Sequence, residues 1–252
     1  MAPTPGLERA WALEEHGVPL IVDTKIPAFA QNRGRLVSID DMTAIQIDHT
    51  HMCNFMLFGK RTLDIVVSTL ALLFIAPIIA VVAIAIRIES RGPAFFVQPR
   101  VGQYGNLFPF FKLRSMKADA HLERDDVLGP TDDGIMERYL NDTRITRVGK
   151  FIRRWSIDEL PQLANVWLGH MSLVGPRPVL EDELHDLPAH GNRVHLVKPG
   201  LTGLWQVSGR KEIRWEDRID LDLHYIDTRS TLVDVRILAK TGSAIVKGSG
   251  AY

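Results

Sequence analysis

Cysteine is almost absent. Cys53 is the single one among 252 residues, which excludes an intramolecular disulfide framework and a thiolate metal cluster and fits a reducing compartment. Net charge is absent too, with 30 Lys and Arg against 30 Asp and Glu. No overall field draws the chain to nucleic acid, so anion binding must come from local clusters. Several catalytic signatures are missing: there is no Gly-rich phosphate loop, no G-x-S-x-G elbow and no H-E-x-x-H zinc motif. His49-x-His51 with Cys53 fits no standard zinc spacing. The opening MAPTPGLERAWALEE lacks a basic start followed by an apolar run, so it does not read as a secretory signal.

What is present begins with a long apolar run. Ile65 to Ile86 gives 22 residues without a charge, beyond the ~18 that mark a membrane-helix candidate. Pro77 interrupts it, where a proline removes a backbone donor and clashes with the preceding turn. Both flanks are basic, Lys60 and Arg61 before the run and Arg87 and Arg91 after it. Positive charge is retained on the cytoplasmic side, so both ends ask for the same side. A helix broken at Pro77, with arms of about 11 residues and about 16 Å, would enter one leaflet and return. A kinked span is the alternative, since proline is tolerated in membrane helices. The residues alone favour neither.

The rest of the chain orders itself around that run. Residues 1–54 carry several prolines and no sustained period, and read as a variable, flexible extension. Residues 55–90 form the membrane segment and 91–252 the main domain. Gly and Pro at short intervals predict extended pieces after Ser90, with a hairpin across Gly102–Asn106. The acidic stretch 119–143 reads as a solvated loop with a short helix. Its Asp125, Asp126, Asp132 and Asp133 do not match a calcium loop. From Ile145 to Leu184 the pattern turns helical. The last 35 residues predict a helix that is either basic, amphipathic and laid on the membrane surface or packed on the core. The fold class expected is mainly α with a small β-hairpin element, α+β.

Chemistry concentrates in RRWSIDELPQLANVWLGHMSLVGPRP, Arg153 to Pro178. Ser156-x-x-Glu159 matches a capping box, which would place Asp158 and Glu159 in an ordinary first helical turn. Pro161 sits badly at the fifth position of such a helix and moves its expected start toward Leu160. Arginines give the acids a second meaning. Arg153 and Arg154 precede them, Arg177 lies in Gly-Pro-Arg-Pro and Arg210 closes Ser-Gly-Arg. Guanidinium forks suit phosphate oxygens, and carboxylates among them suit a magnesium-bound diphosphate such as a nucleotide-sugar carries. One carboxylate would serve the metal and the other act as nucleophile or base.

These segments together resemble the bacterial sugar transferases, the monotopic phosphoglycosyl transferases. The resemblance rests on KRTLD (60–64), the interrupted apolar run, FFKLRSM (110–116), ITRVGKFIRRWSIDELPQLANVWLGHMSLVGPRP (145–178) and KPGLTGLWQVSGR (198–210), and it covers Phe58 to Tyr252. It implies a re-entrant helix-break-helix in the cytoplasmic leaflet of the bacterial inner membrane. The catalytic domain would face the cytoplasm with amphipathic helices at the interface. It implies a two-step reaction. Asp158 attacks the β-phosphorus of a UDP-hexose and releases UMP, and undecaprenyl phosphate then takes the phosphosugar from Asp158. It makes Asp158 a magnesium ligand and Glu159 an assistant to the metal, to the lipid-phosphate attack, or to both.

The same resemblance implies phosphate binding by Arg153, Arg177 and Arg210, and by Lys112 and Arg114, for which salt bridges to structural acids compete. Lys60 and Arg61 would anchor the hairpin among membrane lipid headgroups. Trp205 and Trp215 would stack, sit at the interface or pack the core. LWQVSGR and the terminal GAY resemble members that transfer glucose or galactose 1-phosphate at the start of exopolysaccharide or O-antigen synthesis. A homo-oligomer and contacts with polysaccharide-assembly proteins fit that setting; no nucleic acid partner does. The sequence departs from the family at the break. Ala76–Pro77 replaces a frequent Ser-Pro, so no hydroxyl there satisfies the freed carbonyl. The chain also resembles the minimal family form, with a short extension in place of several spans. A scaffold that recruits assembly proteins and a hydrolase with water as acceptor are the competing readings. The intact acids and arginines argue against the scaffold.

Overall fold

A computed structural model describes residues 34–39, 42–47, 54–117, 120, 144–188, 191–208 and 214–246. Arg210, the four aspartates of the acidic stretch and the His49–Cys53 group lie outside the described residues. The chain divides into two compact units, 1–49 and 50–252. In the first, β1 (Gly34–Ile39) and β2 (Met42–Ile47) pair antiparallel, from Gly34 opposite Ile47 to Ile39 opposite Met42. The sequence reading found no period there. The register sets Leu36 opposite Ile45, Val37 opposite Ala44 and Ile39 opposite Met42.

The second unit opens with α1 (Asn54–Glu89), one helix of 36 residues about 54 Å long that continues through Pro77, so the break expected at Ala76–Pro77 does not divide it into two helices. It is long and apolar enough to cross a membrane. One face is used along most of its length. Val67, Ala71, Leu72 and Ile75 pack on the main core, and Ile79, Val82, Ala83 and Ile86 on a second cluster. The steps of three and four residues keep these side chains on one stripe. The other face is bare. Leu73 is 70% exposed, Phe74 78% and Val81 67%, and Ala76 and Pro77 are exposed too. A bare apolar strip of this length is out of place in water and suited to lipid.

Next come β3 (Phe95–Val101) and β4 (Leu107–Leu113), antiparallel, with the turn at Gly102–Asn106 as expected. Phe108 and Phe110 of β4 point inward and are buried. α2 (Arg147–Arg154) is capped by the Thr146 hydroxyl, which accepts from the Gly149 amide. Glu89 at the end of α1 accepts from the Arg147 and Val148 amides at 2.7 and 2.9 Å, tying α2 to the apolar helix. A Cβ on Gly149 would lie 1.9 Å from the Ser115 carbonyl oxygen, so only glycine lets α2 approach the end of β4 this closely.

After α2 come a 3-10 turn (Ile157–Glu159) and α3 (Gln162–Leu168). β5 (Ser172–Val174) and β6 (Gly200–Thr202) then pair parallel. α4 (Leu204–Val207), α5 (Trp215–Thr228) and α6 (Thr231–Val246) complete the unit. The helical expectation for 145–184 therefore holds to Leu168 and again from Asp182, where a 3-10 helix (Asp182–Asp186) begins. Gly169, at φ 89°, ends α3 and donates to the Asn165 and Val166 carbonyls, and the chain leaves extended. α6 takes the core-facing alternative, with Asp234 and Ile237 buried and Val233 and Leu238 against the core. α5 supplies Ile219, Leu223, Tyr225 and Ile226 to the same core.

Candidate active site

Asp158 and Glu159 sit on the 3-10 turn between α2 and α3, not in the first turn of a helix. The capping box does not form. Ser156 is left-handed at φ 53°, its side chain makes no capping bond, and α3 begins only at Gln162, after Pro161. An N-cap needs extended backbone, whereas Ser156 is turning the chain at the end of α2, its amide donating to the Arg153 carbonyl at 3.1 Å. A non-glycine residue in this region costs about 1 kcal/mol. That strain lies two residues before Asp158.

The two acids differ in surroundings. Asp158 is buried, and Glu159 is half-exposed and paired with Lys112 at 3.0 Å. Burial, and then the neighbouring Glu159 carboxylate, push the Asp158 carboxyl up to about 6; Lys112 and Arg153 pull it back down. Asp158 is therefore a desolvated carboxylate held against a second negative charge, with two cations in reach.

The structure gathers Lys112 and Arg153 around the acids. Arg153 donates its Nε to the Ser115 hydroxyl at 2.8 Å, which orients the guanidinium. Arg114 is placed differently. It is buried, and its terminal nitrogens donate to the Ser90 and Arg91 carbonyls at 2.8 and 2.9 Å. It thus bonds the chain just past the end of α1, and none of these contacts is to an acid. Arg177 follows β5, and its amide meets the Asp222 carboxylate at 3.4 Å.

Lys60 and Arg61 are not offered to headgroups. Lys60 pairs with buried Asp234 at 2.6 Å, and Arg61 donates to the Val166 and Trp167 carbonyls at 2.7 and 2.8 Å. The negative pole at the end of α3 favours the second contact. Asp64 accepts from the Ser172 hydroxyl and the Leu173 amide, so three polar residues near the start of α1 fasten it: Lys60 to α6 and β5, Arg61 to α3, and Asp64 to β5.

Arg100 was missed by the sequence reading. It is buried on β3, donates to the Pro178 carbonyl at 3.1 Å, lies 3.6 Å from Glu183 and stacks 5.4 Å from the Phe110 ring. Burial and nearby Arg177 lower its guanidinium to about 10, and Glu183 and Glu159 oppose this. It therefore links Gly-Pro-Arg-Pro to the acid pair. Its only sequence signal is an arginine two residues from Gln98 on the same strand face, opposite Phe108.

Among the described residues no group of three His, Cys, Asp or Glu gathers to hold a metal. The donor set at the acid pair is two carboxylates, which suits magnesium, an ion that takes one or two carboxylates and completes its shell with water and substrate phosphates. The residues fit such a shared site and not a closed protein cage.

The bacterial sugar transferase family model matches residues 55–248. An undecaprenyl-phosphate galactose phosphotransferase of Salmonella typhimurium is 40% identical over 200 residues, 77% of this chain and 42% of that protein. A UDP-glucose:undecaprenyl-phosphate glucose-1-phosphate transferase of Escherichia coli is 38% identical over 215 residues, 82% of this chain and 44% of that protein. The exopolysaccharide production protein ExoY of Rhizobium meliloti is 37% identical over 199 residues, 77% of this chain and 88% of that protein. The chain thus spans less than half the length of the first two relatives.

Proposed function

Since this chain belongs to the bacterial sugar transferase family, we propose that it transfers a hexose 1-phosphate from a UDP-sugar to undecaprenyl phosphate, with Asp158 as nucleophile. The observation that carries the reading is the buried Asp158, its carboxyl raised to about 6, beside Glu159, Lys112 and Arg153. A carboxylate so placed is ionised at neutral pH, poorly solvated and aimed among cations that suit phosphate.

In the first half-reaction an Asp158 oxygen bonds to the β-phosphorus of the donor. The bond from that phosphorus to the bridging oxygen breaks, and UMP leaves with the electron pair. In the second, an oxygen of undecaprenyl phosphate attacks the same phosphorus. The bond to Asp158 breaks, which restores the carboxylate and yields the lipid diphosphate sugar. Arg153 and Arg177 hold phosphate oxygens, and Glu159, braced by Lys112, assists the metal, the lipid-phosphate attack, or both. Arg210 fills the same role in the sequence reading. Magnesium, held by Asp158 and Glu159, would neutralise phosphate charge. Galactose and glucose are the sugars proposed, by likeness to relatives so named. Exopolysaccharide or O-antigen assembly is the proposed setting, with assembly proteins and a second copy of the chain as proposed partners.

A same-side membrane arrangement is part of the proposal: α1 embedded in the cytoplasmic leaflet of the inner membrane, with the catalytic residues facing the cytoplasm. Its support is that both ends of α1 contact the same unit, Lys60 through Asp234 and Glu89 through α2. A helix that crossed the bilayer would separate those ends. Cysteines placed near residues 50 and 120 should label from one side; labelling from opposite sides would overturn the arrangement.

The assay of the reaction is UMP release from UDP-glucose and UDP-galactose, with and without undecaprenyl phosphate and magnesium. Lipid-dependent release with sugar in the lipid phase is expected. Lipid-independent turnover to free sugar phosphate would indicate a hydrolase, and no turnover a scaffold. The pH dependence should follow Asp158. Its active form is the carboxylate, so kcat falls tenfold per unit below about pH 6. Lys112 holds that carboxyl down, so Lys112→Met should move the acid limb to higher pH; an unmoved limb would separate it from Asp158.

A further inference from the structure

Two amide side chains are buried in α3, and only one of them is used. Asn165 accepts from the Phe111 amide at 3.1 Å and donates to the Pro109 carbonyl at 2.6 Å, which pins α3 to β4. Gln162, one turn earlier, is 2% exposed, and its Nε2 has no hydrogen-bond partner. A buried amide left this way weakens the fold, and a methionine of the same length would fill the space without that cost. Packing alone gives no reason for a glutamine here. Its position does. Ile157–Glu159 is a 3-10 turn, Leu160 (φ −58°, ψ −32°) and Pro161 (φ −60°, ψ −18°) keep right-handed helical backbone, and α3 begins at Gln162. The winding is therefore unbroken from Ile157 to Leu168, and Asp158 and Gln162 lie four residues apart on one face. Helical side chains lean toward the N-terminus, so the longer Gln162 reaches back toward Asp158. Lys112 and Arg153 act on the Asp158 carboxylate through charge, and the hydrogen bond it accepts comes from its own backbone.

We infer that Gln162 is a positioning residue for Asp158: its amide N–H, idle at rest, bonds the Asp158 oxygen not joined to phosphorus while the phosphosugar is discharged. The inference rests on the reading of Asp158 as nucleophile. A donor already on the carboxylate would blunt its attack on the UDP-sugar, because it would stabilise the charge that the attack consumes. A donor that engages once the bond from Asp158 to phosphorus has formed does the reverse. As an undecaprenyl phosphate oxygen bonds to that phosphorus, the bond to Asp158 breaks and its electron pair returns to the carboxyl. Negative charge spreads over both carboxyl oxygens, no proton moves, and the Gln162 N–H strengthens its bond to one of them. The nearest cations are already engaged, Lys112 by Glu159 at 3.0 Å and the Arg153 Nε by Ser115 at 2.8 Å. The neutral amide on the buried side of Asp158 is the donor still to be used.

The test times the two half-reactions separately by rapid quench, with the full chain in lipid nanodiscs. UDP-hexose is added first and UMP release is followed. Undecaprenyl phosphate is added second, and loss of the phosphosugar from the enzyme is timed. Gln162→Met keeps the length of the side chain and removes the amide. It should release UMP within about threefold of the parental rate and discharge the phosphosugar about 10- to 100-fold more slowly. It should also melt about 2–4 °C higher, because the unpaired amide is gone. In Gln162→Glu the ionised form has no donor and the protonated form regains one. Its discharge relative to the parent should therefore recover as pH falls, while Gln162→Met stays slow at every pH. Gln162→Leu takes the place of the methionine variant should that chain not fold. Parental discharge by a folded Gln162→Met or Gln162→Leu chain would overturn the inference. So would equal slowing of both half-reactions with a lowered melting temperature, the mark of a residue that only packs. A parent chain that forms no phosphosugar-enzyme would sink the nucleophile reading and this inference with it. A parent that forms and discharges it, beside a variant that does the same, would sink the inference alone.

Discussion

Replacing Asp158 by asparagine is expected to lower kcat by about four orders of magnitude or more, the scale seen when a covalent nucleophile is removed. The amide keeps the shape of the side chain and loses the oxygen that attacks phosphorus. Any change in KM for the UDP-sugar should be small beside the loss in kcat, because the arginines and Glu159 remain to hold the donor and its metal.

The same substitution should stabilise the fold. Asp158 has a folded value of about 6 against the ordinary aspartate value of 3.8, so the native chain holds this proton more tightly than the unfolded chain. That advantage is complete below about pH 4 and is lost as pH rises through 6. Asparagine imitates the protonated form at every pH. Asp158→Asn should therefore gain on the order of 2 kcal/mol at pH 8 and nearly nothing at pH 4. Thermal melts at the two pH values, in nanodiscs, read this directly. An inactive variant that is also destabilised at pH 8 would mean a structural role for Asp158.

The second large effect lies at the foot of α1. Lys60 donates to Asp234 at 2.6 Å, to the Val174 carbonyl at 3.0 Å and to the Tyr225 hydroxyl at 3.2 Å. Tyr225 in turn meets the other Asp234 oxygen at 2.7 Å. Lys60→Met leaves the Asp234 charge buried without its cation and should cost about 3–5 kcal/mol, because breaking one side of a buried pair strands the other. Asp234→Asn in the Lys60→Met background should recover most of the loss. A double-mutant cycle from denaturant melts measures the coupling. A Lys60→Met chain of parental stability would show that the pair does not hold α1 to the domain.

How far the sequence could be read follows from how local each determinant is. The hairpin of β3 and β4 was legible because its turn chemistry lies within five residues, Gly102 to Asn106. The apolar run and the acid pair were legible for the same reason. The role of Ser156 was misread, since a serine three residues before a glutamate looks the same whether it starts a helix or ends one. What decides is the packing of α2, fixed by Gly149 against Ser115 and by Glu89 on the α2 amides.

Contacts between residues far apart in the chain were out of reach. Lys60 and Arg61 read as headgroup anchors because their partners, Asp234 and the Val166 and Trp167 carbonyls, lie more than a hundred positions away. Arg114 read as a phosphate ligand or a salt-bridge partner, because nothing nearby announces its bonds to the Ser90 and Arg91 carbonyls after α1. Arg100 escaped notice because an arginine on a strand is ordinary until its burial is known.

The most direct test of the central claim is to incubate the chain with UDP-hexose and magnesium, without lipid acceptor, and to map the product by peptide mass spectrometry after a rapid quench. The account predicts one equivalent of UMP and a hexose-phosphate on the peptide carrying Asp158, discharged when undecaprenyl phosphate is added and absent from Asp158→Asn. A phosphosugar found on any other residue, or on the Asp158→Asn chain, would contradict it.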